Sequence, residues 1–237
     1  MDESILLQAV RIELSSYTAS FRVPSFVSHQ LTLPVPPLCT VFGLISAAVG
    51  RWITPRDVDW LAYRCTYEGK GTDVETIVQI EREKPGKVPL PKLPPKTVNV
   101  INREFLFLPC LTIYLPPHWA QAFYRPRFTL LLGRTQDVAY VASVGTTALA
   151  PVPSGEVGGV LLPFELLKQN NVAAWVHNLP IAFPSLLERR PLRMHLFGVV
   201  DAGFPTLLQQ GGGWLVQDVQ QGTVLVLYRR EWMLVGT

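Results

Sequence analysis

The chain has 237 residues, 48% hydrophobic and only 16% charged. That charged share is well below the roughly 25% of ordinary soluble domains, so the chain carries either a large core or surfaces buried against partners. A net charge of +3 and a pI near 8.8 are mildly basic and not by themselves a nucleic-acid signal; local clustering matters more. Three widely spaced cysteines, Cys39, Cys65 and Cys110, with no C-x-x-C, exclude a disulfide framework and a structural zinc site.

Residues 5–15 alternate as a strand, with Val10, Ile12 and Leu14 on one side and Arg11 and Glu13 on the other. Pro34, Pro36 and Pro37 then make residues 32–38 stiff and extended. Residues 41–49, VFGLISAAV, are apolar nearly all round, which predicts a buried helix. Thr40 is the expected N-cap, Gly50 the glycine stop, and Gly43 with Ala47 and Ala48 the place for a close backbone approach. Residues 61–67 and 75–83 read as a strand pair turning at Gly69-Lys70-Gly71. Strand, helix, strand, strand is the opening of a ferredoxin-like unit.

Residues 84–97 hold five prolines and the lysines Lys84, Lys87, Lys92 and Lys96. This composition makes a stiff cationic arm reaching over RNA, or a solvated linker. Strand character resumes over residues 98–114, a short helix fits 118–124, and a strand fits 138–144. A Pro/Gly-rich stretch at 150–159 marks an expected boundary between an α+β unit (1–150) and a mainly β part (151–237). The latter ends in a hairpin of residues 214–219 and 223–228.

No paired carboxylates at metal spacing, glycine-rich phosphate loop or G-x-S-x-G run occurs, so neither a cofactor nor a metal is expected. RNA cleavage without a metal needs a base for the 2′-hydroxyl, an acid for the leaving oxygen and a cation for the phosphate. His29 is the candidate base, with Tyr17 and Lys70 as assistants; phosphate or base contact is the alternative role for that histidine. His118, His177 and His195 have no partner pattern. For RNA binding the candidates are Arg22, His29, Gln30, Thr32, Arg51, Arg64, Lys70, Arg103 and Arg134, with the four arm lysines. Phe21, Phe26, Tyr63 and Phe105 are available to stack on bases or to pack the core. The start MDESILLQAV lacks a signal-peptide pattern and no run is long enough to cross a membrane, so a cytoplasmic setting is expected.

The run from Thr32 through Pro34-Val35-Pro36-Pro37, Thr40, Gly43-Leu44-Ile45 and Ala47-Ala48 to Gly50 resembles the N-terminal signature of the fifth family of CRISPR-associated (Cas) proteins. Cys39 departs from it, since serine is common there. Arg103-Glu104-Phe105-Leu106 followed by Pro109, and Leu132-Gly133-Arg134 followed by Asp137, extend the resemblance over about the first 145 residues. It implies a RAMP-superfamily fold: a ferredoxin-like (RRM-like) N-terminal unit with a loop or β-hairpin thumb around residues 81–102. It also implies a non-catalytic subunit of a type I (type I-B-like) Cascade complex. Such a subunit holds the 5′ handle of the crRNA and touches the backbone and large subunits, and target DNA near the protospacer-adjacent motif. Some relatives cut the guide precursor, so an endoribonuclease remains the alternative.

Overall fold

The computed structural model describes residues 6–24, 29–79, 97–188 and 190–235. It is mostly β. Six antiparallel strands close on themselves: Leu7–Ser16 pairs with Cys110–Leu115, then follow Trp60–Thr66, Val224–Arg229, Leu215–Asp218 and Val138–Pro151, which returns to Leu7–Ser16. Taken alone, the four earlier strands lie in the order fourth, first, third, second. A ferredoxin-like unit would leave that sheet open. Here the Leu215–Asp218/Val224–Arg229 hairpin bridges its two edges, through Leu149↔Asp218 on one side and Leu227↔Ala62 on the other.

Closure separates two apolar clusters by the period-2 alternation of strands. Ala9, Ala62, Tyr114, Leu149, Val216, Leu225 and Leu227 come from all six strands. Only the inside of a closed barrel lets six strands meet, so this cluster is the lumen. Val10, Ile12, Leu14, Leu111, Ile113 and Tyr63 point outward into the main core, under the helices.

The helix α1 (Leu38–Val49) belongs to that outer core, with Val41, Phe42, Leu44, Ile45 and Ala48 buried. It starts two residues before the expected cap. Pro37, extended at φ −58° and ψ 152°, stands at the N-cap, and Thr40 already lies inside the first turn, its N–H donating to the Pro37 carbonyl at 2.9 Å. Proline's fixed φ suits a helix start and its missing donor costs nothing there. Gly50 ends the helix at φ 87°, as expected. The 127 and 128 amides take up the carbonyls of Ala48 and Ala47, both at 2.9 Å. Gly43 faces open space and not a neighbouring backbone. The proline loop is pinned from below: the Tyr63 hydroxyl donates to the Pro36 carbonyl at 2.8 Å, and Val35 is buried.

Gly69-Lys70-Gly71 makes no turn. It opens a long strand, Gly69–Gln79, which pairs with Thr97–Phe107 and not with Trp60–Thr66. This hairpin, the arm, is fastened at its base by two short strands: Thr18–Ala19 (antiparallel) and His29–Gln30 (parallel). Gly71 lies under the Phe105 ring, where a Cβ would come within 2.6 Å. Beyond the base one face of the arm shows Val74, Val78 and Val100, all exposed. The lysines Lys84, Lys87, Lys92 and Lys96, most of the thumb expected at 81–102, and Phe26 lie outside the described residues. The remaining chain adds a three-stranded sheet, Val160–Pro163, Arg193–Val200 and Trp175–Ala182, whose last strand packs beside α1. No helix among the described residues is long and apolar enough to cross a membrane.

Candidate nucleic-acid interface

The N-terminus of α1 opens into a cleft of about 420 Å³. One wall is Ser20, Phe21, Arg22 and Pro24, another Gly133, Arg134 and Arg103, and the third Leu179, Pro180 and Phe183; Pro37, Cys39 and Thr40 form the floor. Gly133 lets these walls meet. At φ +116° it sits so near the Ser20 carbonyl that a Cβ would fall 2.0 Å from it. The first turn of α1 carries no acidic residue and no side chain caps it. With Pro37, Cys39 and Thr40 on the floor, the helix brings the positive end of its dipole, about half a unit charge, to the cleft.

Three arginines converge here. Arg22 is exposed on the short strand Phe21–Arg22. Arg134 is buried, and burial alone would lower its pKa. The carboxylates of Asp137 and Glu75 outweigh that and hold it above the ordinary value. Its Nε and Nη2 donate to Asp137 at 3.0 Å each, and its Nη1 reaches Asp73 at 3.3 Å and Glu75 at 3.2 Å. The guanidinium also lies 5.8 Å from the Phe105 ring centroid. Arg103 stands with its Nε 3.0 Å from the other Glu75 oxygen. That is ion-pair distance but poor alignment, and among the described residues the buried Nε has no hydrogen-bond acceptor.

The other candidates disperse. Gln30 is buried beside Arg103 in the strand pairing, and His29 is exposed opposite Asn102. Among the described residues no hydrogen bond or ion pair reaches the His29 ring. Thr32 is buried; its hydroxyl accepts from the Phe21 amide at 2.9 Å, and its own amide donates to Glu104 at 3.2 Å. It shapes the loop from inside. Arg51 lies at the far end of α1, about 18 Å from the cleft for a helix of this length, paired with Asp57 at 2.8 Å. Arg64 donates to the Gly158 carbonyl at 3.1 Å on the barrel wall. Lys70 sits 5.6 Å from the Tyr67 ring, at the arm's base. Phe21 and Tyr63 are core residues. Cys39, on the cleft floor, has its thiol pushed up to about 11 by burial, so it stays protonated at neutral pH. Among the described residues no three His, Cys, Asp or Glu side chains gather as a metal site.

Sequence reasoning paired Asp137 with Arg134 only as part of the resemblance, and missed Glu75 and Asp73. They are ordinary acidic residues until the fold sets them around Arg103 and Arg134.

No family model and no curated protein matches the chain. Solved structures do. A chain of a CRISPR RNA-guided surveillance complex superposes with a TM-score of 0.50 at 18% identity, over 84% of this chain and 90% of that one. A chain of the type III-B Cmr-beta complex bound to cognate target RNA gives 0.56 at 6% identity, over 94% and 99%. A second state of that complex, with AMPPnP, gives 0.52 at 6%, over 92% and 98%. The chain has a Cas-protein fold. Identities this low carry the fold and nothing finer. Within the Cas fold of this chain, the cleft joins the signature loop, the base of the arm and the strand Trp175–Ala182.

Proposed function

We propose that this chain is a non-catalytic subunit of a Cascade-type CRISPR complex that binds and caps the 5′ handle of the crRNA. On this reading the barrel is a ferredoxin-like unit of the RAMP kind, closed by its C-terminal hairpin, and the arm is the thumb. The carrying observation is the convergence of Arg22, Arg103 and Arg134 with the uncapped N-terminus of α1 in one cleft. Such a set of donors suits the non-bridging oxygens of a phosphate. The exposed valines of the arm and the low charged share of the chain suit surfaces covered by the backbone and large subunits, with target DNA nearby.

The test is binding of repeat-derived RNA to the purified chain. Arg22→Ala and Arg103→Ala should each weaken it by about 1–3 kcal/mol if each loses a charge-assisted contact. The variants should also lose affinity less steeply with salt, since each lost contact reduces counterion release. Wild-type binding indifferent to both substitutions overturns the reading. The endoribonuclease alternative rests on the exposed His29. Chelator-resistant cleavage of repeat RNA that disappears in His29→Ala, with binding intact, would establish it instead.

A further inference from the structure

Two of the three cleft arginines, Arg103 and Arg134, are already engaged, and by the same carboxylate. One Glu75 oxygen accepts from Arg134 Nη1 at 3.2 Å and from Gln136 Nε2 at 3.4 Å; the other faces Arg103 Nε at 3.0 Å. Two oxygens of one anion bridging two guanidinium groups is the arrangement a phosphate would make with its non-bridging oxygens. Two features distinguish this bridge from a structural one. Glu75 is partly exposed, at 23% of its side chain, and it sits on the arm, not on the barrel. And Arg134 is held independently by Asp137, which is fully buried and bonds two of its nitrogens, so Glu75 is not needed to fix that side chain.

We infer that Glu75 is an internal stand-in for a ligand phosphate. It occupies Arg103 and Arg134 in the free chain and is displaced from them when a nucleic-acid phosphate enters. This inference rests on the handle-binding reading and adds to it a self-occupied state of the site. The carboxylate lowers affinity for any phosphate by competing for the same donors and by like-charge repulsion once displaced. It also neutralises the cleft when no guide is present, which disfavours loose capture of other polyanions. Asp73, about half exposed and paired with Arg134 at 3.3 Å, contributes to the same effect more weakly.

The experiment uses the full chain with single-stranded repeat RNA in a binding titration and inorganic phosphate in a thermal-shift titration. Glu75→Gln keeps shape and hydrogen bonding but removes the charge. It should bind the RNA about fivefold tighter, the size of one partly exposed ion pair. Phosphate should raise its unfolding midpoint more than it raises that of wild type. Asp73→Asn should shift both readings the same way by less, and it carries the test if Glu75→Gln folds poorly. In an Arg103→Ala background the gain from Glu75→Gln should shrink, because one of the two competed donors is gone. A folded Glu75→Gln that binds RNA and phosphate no better than wild type overturns the inference while leaving RNA binding by the cleft intact. Wild type that fails to bind the RNA overturns the functional reading, and the phosphate titration then decides the inference alone.

Discussion

Two carboxylates beside arginines, Asp218 in the barrel and Glu75 at the cleft, show how surroundings decide what the same chemistry does. Asp218 is fully buried in the lumen. It accepts from Thr147 at 2.6 Å, Tyr114 at 3.0 Å and the Gln220 and Gln221 amides at 2.9 and 3.4 Å, with Arg11 at 3.6 Å. Burial alone would raise its pKa, but these donors outweigh it and hold the carboxyl below its ordinary value. No solvent-borne anion can replace it, so its interactions serve only the fold. Glu75 has two arginines, and the cleft beside it is open. Its interactions can be exchanged, which is what a binding site requires.

The largest effect that would sharpen the contrast is expected at Arg134, which belongs to both categories. Arg134→Ala strips the fully buried Asp137 of its charged partner and should cost about 3–5 kcal/mol of stability in urea unfolding. A smaller loss would mean that the arginine serves the ligand alone. Next is Asp218→Asn, which removes the charge from a buried carboxylate that accepts four hydrogen bonds and should cost about 2–3 kcal/mol at pH 7. Because the folded pKa of Asp218 is depressed, its stabilisation is complete above the unfolded value near 3.8 and is lost as pH falls through the lower folded value. The wild-type advantage over Asp218→Asn in acid unfolding should therefore narrow only below about pH 4. An advantage that is already gone at pH 6 would break the assignment. Arg103→Ala should lower the unfolding free energy by about 1 kcal/mol or less, the size of one partly exposed ion pair, while weakening RNA binding as described above. A large stability loss there would make its pair with Glu75 structural and erase the distinction. The smallest effect belongs to Arg51→Ala. Its pair with Asp57 has the arginine more than half exposed, and such pairs are worth about 1 kcal/mol or less. RNA affinity at the cleft should not change.

How far these regions could be read from sequence follows from how local their causes are. The burial of α1, its glycine stop and the stiff proline loop arise from neighbouring residues, and all three are visible in residues 32–50. The helix start was displaced because proline chemistry at residue 37 competes with a threonine cap and wins. The terminal hairpin was visible too, with its turn at Gln221-Gly222 and Gly222 at φ 69°. What it closes was not, since Leu227↔Ala62 joins residues 165 positions apart. The strand pairing of residues 61–83 failed for a related reason: a glycine pair suggests a turn, yet Gly71 here makes room for an aromatic ring. Of the candidate site, Arg22, Arg103 and Arg134 do share one cleft, whereas Arg51, Arg64 and Lys70 lie elsewhere. The acidic partners 59 to 61 positions from Arg134 leave no local mark.

The way the barrel closes also sets a timetable for synthesis on the ribosome. Strand Trp60–Thr66 has one neighbour early, and Val138–Pro151 has Leu7–Ser16 with only the two-residue strand Leu130–Leu131 beside its start; their remaining neighbours, Val224–Arg229 and Leu215–Asp218, are translated last among the barrel strands. At 5–20 residues per second the edge at residue 66 waits roughly 8 to 30 s for its partner. Through that interval the nascent chain offers two unpaired, apolar strand edges to whatever is near. Translation halted before residue 215 would fix it in that sticky form, so the demand on chaperones should depend on elongation speed over the second half of the message.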